Sequence, residues 1–439
     1  MRLTIAEIGY YLGVVMTILI GSVSICQAQY RTQVMQTNIR TLRVEYVDNQ
    51  TLQRPYLVLP TDGETLDGAD DSNTLTVSFD EMSHDFHHYS YRVAHLNKDW
   101  RPSALSSFEY LDGFTTADIT DYESSTTTQQ AYTHYSLTFP NEDMRLKVSG
   151  NYAIVIYEDG DADKVVATAC FSVVEPVVSV STQVRSNTDI EFDGRYQQLD
   201  IDVQTAALNL TDASYVSVVV RQNGRLDNEV LLTHPTYVEP NRLRYRNNRV
   251  LIFEGGNEFR HFDTYSTYYA GYHVDRIRYA QGEYHALLDM DAVRGTMARD
   301  VGMQGTGYLT EYDNNGQWRV NAENTETPDI DAEYMWVHFC LPVRQPVMGN
   351  VFVGGGLFYN HFGADNMMQY DAEEKCYYLY AYLKQGGYDY QYYVQTVDSM
   401  TLLPLEGSYW QTQNEYTLYI YYRPFGGRYD RLVGLQVVK

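Results

Sequence analysis

Forty-two tyrosines recur in short alternating runs along this chain, and that pattern restricts the fold more than any other feature. In Tyr388-Asp-Tyr-Gln-Tyr-Tyr-Val394 and Tyr416-Thr-Leu-Tyr-Ile-Tyr-Tyr422 the rings fall largely at every second position. Residues i, i+2 and i+4 of a strand share a face, and aromatic side chains suit a pleated surface, so these runs read as strands. Between them lie clusters that favour positive φ: Glu158-Asp-Gly-Asp161, Gln222-Asn-Gly-Arg225, Asp313-Asn-Asn-Gly316, Gln385-Gly-Gly387 and Phe425-Gly-Gly427. They punctuate hairpins. No long window carries a capped 3.6-residue apolar period, so helices are expected only as short connectors.

Runs and turns alternate at the spacing of β-sandwiches set in series, and the expected fold class is all-β. A first unit over residues 38–172 contains Thr74-Leu-Thr-Val-Ser-Phe79, Tyr89-Ser-Tyr-Arg-Val93 and Tyr152-Ala-Ile-Val-Ile-Tyr157. A boundary falls near Val174-Glu-Pro176. The second unit covers 176–325 and the third 335–439, with the acidic stretch Asn321 to Asp331, which contains Pro328, as the linker candidate between them.

Arg2 stands before an uncharged stretch from Ile8 to Ile25, and Cys26-Gln27-Ala28 follows. Small residues at these positions suit a signal peptidase cutting after Ala28, so residues 1–28 read as a signal peptide and the exported chain begins at Gln29. A signal anchor and acylation of Cys26 are the alternatives; Gly13 and Gly21 interrupt the apolar run, and bulky Ile25 precedes the Cys where a small residue is usual. No later segment resembles a membrane helix. The 57 acidic against 32 basic residues give a formal charge of −25, which repels nucleic-acid phosphates and argues against a nucleic-acid partner. Beyond the signal, Cys170, Cys340 and Cys376 have no CxxC spacing; Cys340 and Cys376 can either pair in an oxidising compartment or stay as thiols.

Few constellations carry chemistry. His84-Asp-Phe-His-His88, with His95 and His134, is the densest titratable cluster, but His87 and His88 point to opposite faces of a strand, so no metal site is expected. Acidic pairs such as Asp70-Asp71 or Asp289 and Asp291 do not define a glycosidase, because spacing on β loops fixes no separation between carboxyls. No nucleophile elbow, His-Glu-x-x-His helix or P-loop is present, and neither catalysis nor a cofactor is expected.

Two stretches of the first unit carry a resemblance. Ser78-Phe-Asp80-Glu81, Tyr89-Ser-Tyr91-Arg-Val-Ala-His95, Asp99-Trp100 and Glu109-Tyr-Leu-Asp-Gly113 form one. Asp118 to Tyr122, Ser125, Tyr132-Thr-His134-Tyr135, Phe139-Pro-Asn141 and Ser149-Gly150-Asn151-Tyr152 form the other. Together with Gly255-Gly-Asn-Glu258-Phe-Arg260 and Asn414-Glu-Tyr416, they resemble the plug protein family of the type IX secretion system of Bacteroidetes. The resemblance departs at Leu96, where the family's pattern has a Cys. It implies a periplasmic, non-enzymatic protein at the inner face of the outer membrane, with no integral membrane segment. Its partner would be the translocon barrel, whose opening it would plug when no cargo passes. The motif residues would serve structure or interface.

In the third unit, Gly349-Asn-Val-Phe-Val-Gly-Gly-Gly-Leu-Phe-Tyr-Asn360 and Tyr377 to Tyr390 resemble early-set or glycogen-binding immunoglobulin-like modules. Those sugar binders place a Trp after the Asn. Here His361 and Phe362 follow Asn360, so these three residues are the glycan-facing candidates of an alternative, glycan-binding reading.

Overall fold

The computed structural model describes residues 29–46, 55–60, 63–190, 194–297, 307–308, 313–397 and 399–439; the signal peptide expected over residues 1–28, with its cleavage after Ala28, lies outside them. Strands dominate, and the described helices are single turns such as Ser107–Tyr110 and Pro328–Asp331. Among the described residues no helix is long and apolar enough to cross a membrane.

The first sandwich packs a six-stranded sheet, centred on Gly150–Glu158 and Val165–Val174, against the four strands Ile39–Tyr46, Leu75–Glu81, Thr133–Phe139 and Asp121–Ser124. Phe79, Tyr89 and Tyr135 meet between the sheets with ring centroids 4.8 to 5.2 Å apart. Near Pro176 one strand ends at Val174 and the next begins at Ser179.

Beyond it the order differs from the linear one expected. The second sandwich joins Ser179–Arg185, Tyr196–Gln204 and Arg242–Tyr245 to a sheet in which Val216–Gln222 pairs with Tyr416–Tyr422, and that strand with Arg431–Val438. The chain leaves this sandwich after Ile252–Glu254, builds the whole third sandwich, and returns at Tyr416. The division at 325/335 is therefore corrected: the third sandwich is an insertion, and 416–438 belongs to the second. Asn321 to Asp331 is no linker but a connection within the third sandwich, between Trp318–Val320 and Tyr334–Pro342. Local pattern could not reveal this, because strands on both sides alternate alike and the pairing that closes the second sandwich joins residues far apart in sequence.

The third sandwich faces the strands around Gly386–Gln395 with the five-stranded sheet Val274–Ala280, Glu283–Leu288, Tyr334–Pro342, Cys376–Lys384 and Gln369–Asp371. Among the described residues the twelve largest fully buried side chains are all tyrosines, including Tyr388, Tyr390, Tyr392 and Tyr416. Packing, with a hydroxyl to be satisfied at each site, is thus the main use of tyrosine here.

Candidate functional site: the junction of the sandwiches

Asp80 and His134 face each other across the pair Leu75–Glu81 and Thr133–Phe139, which places both at the side of the first sandwich that meets the third. Asp80 Oδ1 accepts from His134 Nδ1 at 2.6 Å. Its Oδ2 accepts from the Tyr334 hydroxyl and from Lys384 Nζ, each at 2.6 Å, and both come from the third sandwich. Lys384 Nζ also donates to the Asp329 carbonyl at 2.6 Å and lies 4.1 Å from the Tyr132 ring centroid. Burial opposes ionisation of Asp80, but Lys384 and His134 outweigh it and hold the carboxyl at about 2. Burial also pulls Lys384 below the usual lysine range, against the attraction of Asp80. The charged pair is sustained by its own contacts, not by solvent.

Around this centre Arg43 binds Asp329 at 2.5 Å, the Tyr132 hydroxyl donates to the Ala332 carbonyl at 2.9 Å, and Glu333 accepts the Gln129 and Gln130 backbone N–H groups. Tyr135 and Tyr91 stay within the first sandwich, Tyr91 accepting from Asn141.

A second junction joins the first sandwich to the second. Buried Asn151 accepts from the Tyr421 hydroxyl and from Ser172, each at 2.9 Å, and donates to the Asn97 carbonyl at 3.0 Å. Asp430 receives Lys98 and Arg423, and Glu175 receives Arg431. Trp100, with φ of +59°, sits under the Arg221 guanidinium at 5.2 Å. A bulky residue rarely keeps a left-handed φ unless its surroundings over-determine it.

Next to this contact His95 is neutral. Its Nε2 donates to the Ser149 carbonyl at 3.2 Å, its Nδ1 accepts from Ser103 at 2.8 Å, and burial lowers it to about 4. Gly150 is required there: at φ +144° a Cβ would stand 2.5 Å from His95 Nε2. Gly113 is required too, where a Cβ would meet the Asp143 carbonyl at 2.1 Å.

The second and third sandwiches meet where their two crossover segments run side by side. Asn414 donates to the Gly255 carbonyl at 2.7 Å, Glu258 accepts Gln413 N–H at 3.0 Å and the Tyr308 hydroxyl at 2.6 Å, and Arg225 lies 4.8 Å over Tyr393. Arg260 is clamped between Asp291 at 2.6 Å and Glu406 at 2.9 Å, while the Tyr390 and Tyr392 hydroxyls fill the remaining valences of Asp291.

All three sandwiches border a cavity of about 950 Å³, lined by Trp100, Arg221, Tyr419, Gln317 and Asn360 among others, with Gln29 at its rim. The glycan-facing candidates Asn360, His361 and Phe362 all line this space, with His361 also held by the Phe358 carbonyl and Asp365, and Phe362 packed on Phe352 and Tyr393. The histidine cluster is dispersed: His84 bonds Ser125, His87 meets Glu81 and His88 meets Asp118. Among the described residues no group of three or more potential ligands could hold a metal.

At the two junctions of the first sandwich the sequence motifs supply one side only, whereas Gly255, Glu258 and Asn414, from both sides of the remaining junction, all fall in them. Asp80, Tyr132, His134, Trp100 and Asn151 are contact residues, whereas Lys384, Tyr334, Glu333, Tyr421 and Asp430 went unrecognised. Lys384 was the detectable one, a lone charge ending the apolar run Tyr377 to Leu383.

Fold and junctions together define a class: a multidomain all-β scaffold whose sandwiches are fused through buried polar contacts. Residues 39–175 match the family model for the type 9 secretion system plug protein 1st domain. The crystal structure of a hypothetical protein from Parabacteroides merdae is similar over 94% of this chain and 100% of that one, with 36% identity and a TM-score of 0.86. No curated protein matches. The chain belongs to the type IX secretion system plug protein family, and its role is associated with that system at the cell envelope.

Proposed function

We propose that this protein is a non-catalytic, periplasm-facing component of the type IX system that binds the outer-membrane translocon barrel and plugs its opening when no cargo is passing. The observation that carries this reading is the Asp80–Lys384 pair, buried between sandwiches that are distant in sequence. Domains of one chain move relative to each other by default, and only an extensive interface prevents it. A body that obstructs a wide opening has to keep its shape, and breaking a buried ion pair by removing one partner costs about 3–5 kcal/mol. The buried carboxylates support a role without catalysis: Asp80, Asp291 and Glu406 are each neutralised by a cation within 3 Å and are buried from solvent. The test is recovery from detergent-solubilised outer membranes. Tagged protein brings down a very large barrel protein; recovery of the chain alone contradicts the reading.

A further inference from the structure

The strand Val274–Ala280 closes one side of the five-stranded sheet of the third sandwich, and no described residue pairs with its outer edge. The strand's outward-facing N–H and C=O groups, those not bonded to Glu283–Leu288, form a template for another strand. Arg276 and Arg278 stand two apart on this edge and so share a face, and both are exposed. Arg276 meets its neighbour Asp275 at 2.5 Å, while Arg278 makes no ion pair among the described residues. Tyr279 at the strand end is 56% exposed, and the preceding loop presents Tyr268, Tyr269 and Tyr272 at 84%, 71% and 53%.

Few of the described tyrosines are exposed, so four exposed ones beside two arginines are a departure. Both residue types are enriched at the centres of protein interfaces, whereas edges that only need protection usually carry lysine or proline. The edge does not pair with itself in antiparallel register about Ile277, since Arg276 would then stand against Arg278 of a copy, and like charges directly opposite are destabilising. The free edge Asp121–Ser124 of the first sandwich, by contrast, carries Asp121 and Glu123.

We infer that Val274–Ala280 is the docking edge of this protein, and that its occupant is an extended segment of the partner with acidic side chains at alternate positions, paired by its backbone to the edge and by its carboxylates to Arg276 and Arg278. This rests on the reading above that the protein works by docking to the translocon. The exposed tyrosines supply apolar contact with a polar tip at low entropy cost.

The experiment places a photo-crosslinking benzoylphenylalanine at Tyr279 of the full chain in cells, with exposed Tyr237 of the second sandwich as control. Crosslinked peptides are then sequenced, with and without Arg278→Glu. The expected result is a crosslink from position 279 to the barrel, at a segment alternating Asp or Glu with other residues, whose yield falls about tenfold in the Arg278→Glu protein, as loss of roughly 1.4 kcal/mol would give. Barrel recovered by the native chain but crosslinked only at position 237, or an unchanged yield in the variant, overturns the docking edge alone. Absence of the barrel from the native eluate overturns the translocon reading as well. Because Arg278 is exposed, an unaltered melting curve separates lost docking from lost folding.

Discussion

Lys384 Nζ lies 2.6 Å from Asp80 Oδ2, both side chains are excluded from solvent, and the two residues are 304 positions apart in the chain. One contact therefore reports on the seating of the third sandwich against the first.

Asp80→Ala leaves a buried ammonium without its counter-charge and is expected to destabilise the protein by about 3–5 kcal/mol. Lys384→Met should cost a similar amount by stranding the carboxylate, whereas the double variant Asp80→Ala, Lys384→Met should lose clearly less than the sum. Urea unfolding of the four proteins gives the coupling. Additive losses would mean that the pair does not join the sandwiches energetically.

Acid should weaken the protein in two stages. His95 is held at about 4, below the ordinary histidine value near 6.5, so between those values the unfolded chain binds a proton that the folded one refuses, and stability falls as pH drops. Asp80, depressed to about 2, contributes stability that is present above the ordinary carboxyl value near 4 and lost as pH falls toward 2. Asp313 acts in the opposite sense: burial first, against its bonds from Asn315 and Phe259, raises it to about 7, so the folded state holds an extra proton between about 4 and 7 and loses that advantage as pH rises. Between pH 4 and 6.5, His95→Asn should flatten the dependence of stability on pH by about one proton, and Asp313→Asn should steepen it by about one. Unfolding free energy measured across that interval checks both signs.

The insertion makes a prediction about fragments. A polypeptide of residues 335–439 carries Tyr416–Tyr422 without its partner Val216–Gln222 and lacks the third sandwich's strands before Tyr334, so it should show no cooperative melt. A fragment of 257–412 holds all the strands of the third sandwich and should melt cooperatively by circular dichroism. The reverse outcome would restore the linear division.

Strands were legible wherever burial follows a period of two or a continuous apolar run: Tyr152 to Tyr157 falls inside the buried strand Gly150–Glu158, and Tyr416 to Tyr422 is a strand over its full length. Partnership was not legible. Val216–Gln222 carries no local mark that says Tyr416–Tyr422 will join it, because β pairing is written in side-chain volume and register across the fold. The site shows the same division. Asp80, His134 and Asn151 stood out through the family pattern; in the structure His95 bonds the Ser149 carbonyl, and His134 serves a carboxylate. Lys384 and Tyr421 lie in stretches whose chemistry looks like core until the neighbouring sandwich is in place.

The central claim, a rigid body that closes the translocon, is tested most directly by outer-membrane permeability to a large antibiotic in cells with and without this gene. Removal should raise susceptibility, restoration of the gene should reverse it, and cells that also lack the translocon barrel should show no increase. Unchanged susceptibility on removal, or an increase that persists without the barrel, would contradict the account.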